Sequence, residues 1–217
     1  LSTGSETNEA ALRLAKLATG GYEILALGGS WHGTPGGSAA ATFASDRRGY
    51  GPKVPGSHVI PEPNAYRCPI EHWRDVCDMS CLRVGLKMFD MASDGAPAAG
   101  IAEPVISAGG VIVPPAGYFD QLQSAALERG MLLIFDEAQT AFGRVGAVCS
   151  ASKLGVTPDV MTLSKTLGGG LPLAATVTNP VIEERAHAQG FSFYTSHVSD
   201  PLPASVGVAV LQTIQQE

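Results

Sequence analysis

Two ionisable residues follow apolar runs. Asp136 closes Met131-Leu-Leu-Ile-Phe, and Lys165 closes Asp159-Val-Met-Thr-Leu-Ser, 29 positions further on. Runs of that length and composition read as buried strands, so each residue emerges at a strand's carboxyl end. A carboxylate there costs free energy unless it meets a cation, and an amine there is expected to lose part of its hydration. A lysine so placed is a nucleophile toward carbonyl carbon. A carboxylate that can hold a protonated ring nitrogen and a lysine that can form a Schiff base are the two groups pyridoxal phosphate requires.

The cofactor's other parts also find matching residues. Thr3-Gly4-Ser5 at the start of a helix offers N–H groups, hydroxyls and a positive dipole end to a phosphate. Trp31, in the loop Gly28-Gly-Ser-Trp-His-Gly33, offers a flat face for stacking. Asp136-Glu137 could instead be a magnesium site of a nucleotide hydrolase, but no Gly-x-x-x-x-Gly-Lys-Ser/Thr loop accompanies it. Cys68, His72, Cys77 and Cys81 are potential zinc ligands whose spacing does not match the usual Cys-x2-Cys pairs, so free thiols are the default. Gly168-Gly169-Gly170 reads as a tight turn after the lysine, and His32 receives no role.

The elements that must carry these residues alternate in type. Ser5 or Thr3 caps a helix from about Glu6 to Leu17, stopped by Gly20-Gly21, and a strand spans 22–27. Residues 34–64 read as loop. Further helices are expected over 76–91, over 118–129 with Leu122, Ala125 and Ala126 inward, and between Asn179-Pro180 and Gly190. Strands are expected at 98–102, 131–135 and 160–163. Short apolar strands alternating with helices predict an α/β fold, a mainly parallel sheet with helices on both faces and ligands at the strands' carboxyl ends.

Composition agrees. With 217 residues, 45% apolar and only 16% charged, the chain can bury a sizeable core, and disorder, collagen and coiled coil are excluded. A net charge of −6 with no basic stripe argues against nucleic acid or an anionic membrane, leaving small molecules as the expected partners. No apolar run reaches the roughly 18–20 residues needed to span a bilayer, and four Cys are too few for a disulfide framework, which reads as a cytoplasmic protein. Residues 209–217 look like a helix cut in mid-course, so 1–217 is expected to be an incomplete cofactor-binding large domain.

From Leu1 to about Leu211 the sequence resembles the class III aminotransferases of the type I pyridoxal-phosphate fold, and within them the 2,2-dialkylglycine decarboxylase group. The likeness is densest at Ser2-Thr-Gly-Ser-Glu-Thr-Asn-Glu-Ala-Ala11, Ser30-Trp-His-Gly33, Asp136-Glu-Ala-Gln-Thr140, Thr157-Pro-Asp-Val-Met-Thr-Leu-Ser-Lys-Thr-Leu167 and Phe193-Tyr-Thr-Ser-His-Val-Ser-Asp-Pro-Leu-Pro-Ala204. It implies roles residue by residue. Lys165 matches the Schiff-base lysine, Asp136 the pyridine-nitrogen partner and Gln139 the residue bonding the phenolic oxygen. Thr3, Gly4 and Ser5 match the phosphate cradle, Trp31 the stacking aromatic, and Ser196 the residue that reaches the partner subunit's cofactor, hence a homodimer or dimer of dimers with a shared site. Trp31 and Asp200-Pro201 depart from most class III members toward the decarboxylase group, where Ser196, Val198 and Asp200 would help to hold a potassium ion. The implied reaction is decarboxylation-transamination of a 2,2-dialkylglycine, with pyruvate as acceptor, giving CO2, a ketone and L-alanine. The alternatives are an ω-aminotransferase without decarboxylation and a catalytically idle cofactor-binding subunit. The arginine that grips the substrate carboxylate is expected outside these residues.

Overall fold

Apolar segments too short for helices line up edge to edge, and the alternation of their side chains divides the core in two. The computed structural model describes residues 1–44, 47, 49–70 and 77–216. Its six strands are β1 (Glu23–Leu27), β2 (Ser57–Ile60), β3 (Pro97–Ala102), β4 (Leu132–Asp136), β5 (Val160–Leu163) and β6 (Ala175–Thr178). They form one sheet in the order β2-β1-β3-β4-β5-β6. All neighbouring pairs are parallel except β5 with β6, which runs antiparallel with Val160 opposite Thr178.

The α-helices among the described residues are α1 (Gly4–Thr19), α2 (Gly36–Ala40), α3 (Ser80–Ala92), α4 (Tyr118–Glu128), α5 (Ser150–Leu154), α6 (Pro180–Ala188) and α7 (Pro201–Gln216). Leu25, Leu27, Leu133 and Phe135 point to one face and pack with Leu82, Leu86 and Phe89 of α3 and Phe119 and Leu122 of α4. Ile24, Ala26, Ile134 and Val160 point to the other, against Ala11, Leu12 and Ala15 of α1 and Ile182 and Ala186 of α6. Both faces are covered, so the parallel strands carry continuous apolar runs, as expected.

Local signals worked where their chemistry was strong. Thr3 is the α1 cap, its Oγ1 accepting the Glu6 N–H, and Gly20 ends the helix at φ 76°. Asn179 caps α6 by accepting the Ile182 N–H. The 34–64 stretch, read as loop, contains α2 and β2, and β6 was not anticipated. β2 is an edge strand and β6 a partly exposed Ala-Thr-Val-Thr, so neither shows a buried apolar run. The helix expected over 76–91 begins at Ser80, and Val76 lies outside the described residues. All four cysteines are free; burial pushes the Cys81 thiol up, and His72 of the possible zinc set lies outside the described residues. No helix among the described residues is long and apolar enough to cross a membrane.

Candidate active site

The carboxyl ends of β1, β3, β4 and β5 and the amino end of α1 surround a cavity of about 140 Å³. Its lining includes Gly4, Ser5, Trp31, Glu103, Asp136 and Lys165, with Thr3, Asn8, His32 and Gln139 also on its walls. Larger cavities of about 510 and 570 Å³ lie at the amino ends of β5 and β4, where no such set of ionisable residues converges.

Asp136 ends β4 and is 4% exposed. Its Oδ2 accepts from Asn8 Nδ2 at 2.8 Å and from His32 Nδ1 at 2.9 Å, and its Oδ1 accepts the Ala138 N–H at 3.1 Å. Asn8 is itself fixed, donating to the His32 carbonyl at 2.7 Å and accepting from Thr162 Oγ1 at 2.8 Å. With Nδ1–H committed to Asp136, His32 presents a buried Nε2 that has no partner. Asp136 is thus a carboxylate aimed by side chains from α1, the β1 loop and β5.

Lys165 follows β5 through Ser164 and opens a 3-10 turn, with φ at 50°. That left-handed backbone is costly for a side-chain-bearing residue and is found where surrounding structure fixes a functional group. The side chain is exposed and makes no ion pair or hydrogen bond with a described residue, so the burial anticipated for it is not provided here. Gly169 follows in a left-handed cap and Leu171 N–H bonds the Gly168 carbonyl at 2.9 Å, the tight turn expected of the glycines.

At the start of α1, Gly4 and Ser5 occupy the first turn, where N–H groups lack intrahelical acceptors. A side chain at Gly4 would put Cβ 3.0 Å from Ser164 Oγ, which is buried and unpartnered. A Cβ at Gly33, whose φ is 147°, would come within 2.7 Å of Ser5 Oγ. The cradle exists because these positions lack side chains. Trp31 forms one wall, its ring edge-on to Tyr50 at 6.4 Å. Gln139 on another wall donates from Nε2 to Ser107 Oγ at 2.6 Å.

Glu137 faces away from this cavity. It accepts the Ser150 and Ala151 N–H groups at 2.9 and 2.7 Å and the Thr140 hydroxyl, capping α5 from a distance. That engagement removes the basis for a magnesium site at Asp136-Glu137. Ser196 is exposed and outside the lining, and Asp200 Oδ2 is paired with His197 Nδ1 at 2.7 Å. No group of three or more His, Cys, Asp or Glu among the described residues is disposed to hold a metal.

Asn8 and Glu103 line the site although the sequence alone assigns them no role, and His32, to which it likewise assigns none, joins them. Glu103 carries the same signature as Asp136, an acid directly after a buried strand, and that signal could have found it. It is 4% exposed, and burial, the dominant influence, raises its pKa above the usual carboxyl range.

Residues 1–217 match the family model described as Aminotransferase class-III. An uncharacterized aminotransferase of Schizosaccharomyces pombe is 48% identical over the whole chain and 49% of its own length. The leucine/methionine racemase of Thermococcus litoralis is 32% identical over 99% of the chain and 48% of itself. Among solved structures, an amine transaminase from an uncultivated Pseudomonas species in its PLP-bound form superposes with a TM-score of 0.89 at 30% identity, covering 100% of this chain and 52% of that one. The chain spans about half the length of the relatives it matches. These relatives support the family and not the narrower decarboxylase group. A fold-type I sheet, a cavity at its strand ends and a match over the full 217 residues agree: the chain belongs to the class III aminotransferase family.

Proposed function

We propose that the protein is a pyridoxal-phosphate-dependent aminotransferase that moves an amino group between an amino acid or amine and a 2-oxo acid. The observation that carries this is the convergence on one cavity of a buried, three-donor carboxylate, a partnerless lysine and a helix amino terminus. The residues fit the group: buried Ser164 Oγ and His32 Nε2 lack partners, and Gly4 leaves the cradle open. Bound pyridoxal phosphate supplies an electron sink for negative charge developing at the substrate Cα.

Asp136 holds the proton of the ring nitrogen, and Asn8 and His32 keep its Oδ2 aimed. Lys165 Nζ would hold the group covalently and, once freed, would serve as the base that carries a proton away from the substrate Cα. Gly4 and Ser5 donate N–H groups to the phosphate; the Thr3 hydroxyl, whose oxygen accepts from Glu6, keeps its hydrogen for the same purpose. Trp31 covers the ring and Gln139 donates to its phenolic oxygen. Ser196 serves the partner's cavity in a homodimer with shared sites. Of the residues expected to hold a potassium ion, Ser196, Val198 and Asp200, the last has its Oδ2 engaged by His197 Nδ1.

A second reading, decarboxylation of 2,2-dialkylglycines, is favoured by Trp31 and Asp200-Pro201. One experiment separates the two in the full-length polypeptide. 2-Aminoisobutyrate has no Cα hydrogen, so acetone and CO2 with pyruvate as acceptor would establish decarboxylation. Alanine formed only from donors that carry a Cα hydrogen supports plain transamination. Cofactor binding without amino transfer, as in an idle subunit, or loss of enantiomeric excess without amino transfer, would sink the proposal.

A further inference from the structure

One buried carboxylate on the cavity wall has no part in that scheme. Glu103 lies immediately after β3, and its Oε1 accepts the Trp31 N–H at 2.8 Å. Its Oε2 accepts both the N–H of Ser107 at 3.3 Å and the Ser107 hydroxyl at 3.1 Å. Because the hydroxyl hydrogen is spent on Glu103, Ser107 Oγ can only accept from Gln139 Nε2, which it does at 2.6 Å. Three donors converge on a carboxylate that has none to offer, the arrangement an ionised carboxyl satisfies and a protonated one breaks.

The groups facing Glu103 pull in both directions, so the ionised form rests on the three donors. From the β1 loop His32 lowers its pKa and from β4 Asp136 raises it, while burial works against ionisation throughout. Lys165 shares the same cavity. Gln139 by contrast is exposed, and a free surface glutamine samples many rotamers. Its single bond to a described partner is the one to Ser107, which leaves the second Nε2 hydrogen to the cavity.

We propose that Glu103 is a positioning residue for the reaction: through Ser107 it aims the Gln139 amide, and through the Trp31 N–H it fixes the indole wall, so both sides of the cavity are referred to one buried carboxylate. This rests on the reading of the cavity as the pyridoxal-phosphate site. Pre-set donors contribute more than mobile ones, since no ordering cost remains when the ligand arrives.

The test uses full-length holoprotein and compares Glu103→Gln, Ser107→Ala and Gln139→Ala, with the Ser107→Ala/Gln139→Ala double variant. The readouts are cofactor dissociation constant and the pH midpoint of the visible cofactor band, neither of which a purely structural role would move in step with Gln139. Each single variant is expected to weaken cofactor binding about tenfold, the cost of losing a hydrogen bond tied to a charged group. Ser107→Ala and Gln139→Ala act in series, so the double variant should match Gln139→Ala alone in both readouts. Effects that multiply in the double variant, or a Glu103→Gln band that titrates as in the wild type, overturn the proposal. Should Glu103→Gln fail to fold, the Ser107–Gln139 cycle decides. Wild-type protein that gives no visible band with pyridoxal phosphate overturns the functional reading, and this inference with it.

Discussion

The two ends of the sheet treat buried carboxylates in opposite ways. At the amino end, Glu23 of β1 is fully buried and fully engaged. It accepts the Ser93 hydroxyl at 2.6 Å, the Asp94 and Ala96 N–H groups at 2.9 and 3.0 Å, and His58 Nε2 at 3.0 Å. Burial, the largest influence, would push its pKa up, yet these donors together hold it below the usual range. At the carboxyl end, Glu103 is held above that range, Ser164 Oγ and His32 Nε2 are buried without partners, and Lys165 and Gly33 have positive φ. One end uses its polar groups to lock the turn before β3 onto β1. The other satisfies its carboxylates but leaves Ser164 Oγ and His32 Nε2 without partners and Lys165 in a left-handed backbone, the condition of a surface awaiting a ligand.

Substitutions can break that contrast. Lys165→Ala should lower amino transfer by at least about 10² to 10⁴-fold, the range for a positioned proton-transfer group. The melting temperature of the apoprotein should barely change, because the side chain is exposed; steady-state assays with cofactor and calorimetry without it check both. Glu23→Ala should do the reverse, costing about 3 kcal/mol by stranding buried donors while kcat of the folded fraction holds. A Glu23→Ala enzyme that stays stable but loses turnover would erase the distinction between the ends. Gly33→Ala forces a Cβ to 2.6 Å from Ser38 Oγ at φ 147° and should cost about 1–3 kcal/mol while weakening cofactor binding, measured by denaturant titration and absorbance.

The smallest effect is a pH slope, and its sign differs between the ends. Glu23, with a lowered folded pKa, contributes stability above the ordinary carboxyl range that is lost as pH falls through its folded value. Glu103, with a raised one, costs stability at neutral pH, and that cost fades as pH falls through its folded value toward the ordinary one. In apoprotein, Glu23→Gln should flatten the acid loss of melting temperature between pH 7 and pH 3, and Glu103→Gln should steepen it. Equal slopes in the two variants would contradict the assignment.

The sheet and its principal pair were legible because parallel strands buried on both faces announce themselves as unbroken apolar runs. An acid or amine directly after such a run has few structural uses, which is why Asp136 and Lys165 stood out. β2 and β6 were hidden because edge position and partial exposure remove the run. Asn8 and His32 were hidden for another reason, whereas Glu103 follows its buried strand as Asp136 does and only its partners were hidden. Each acts through a partner far along the chain: Asn8 with Asp136, His32 with Asp136, Glu103 with Trp31. Nothing in local composition encodes a pairing across 72 to 128 positions. The exposure of Lys165 escaped the strand argument because β5 ends at Leu163, with Ser164 between the strand and the lysine.

α1 has a consequence for how the polypeptide is made. Its Asn8 bonds Asp136 and Thr162, and Leu1 carbonyl accepts the Ala174 N–H at 2.6 Å. Its apolar face packs against Ile182 and Ala186 of α6. Beyond its packing on β1, β3 and the α2 region, α1 therefore lacks partners for part of its surface until residues more than 150 positions later have emerged, roughly 10–30 s at ordinary elongation rates. Through that interval the uncovered part of its Ala-Leu stripe is an adhesive surface, and chaperone occupancy of α1 on the nascent chain should end as α6 emerges.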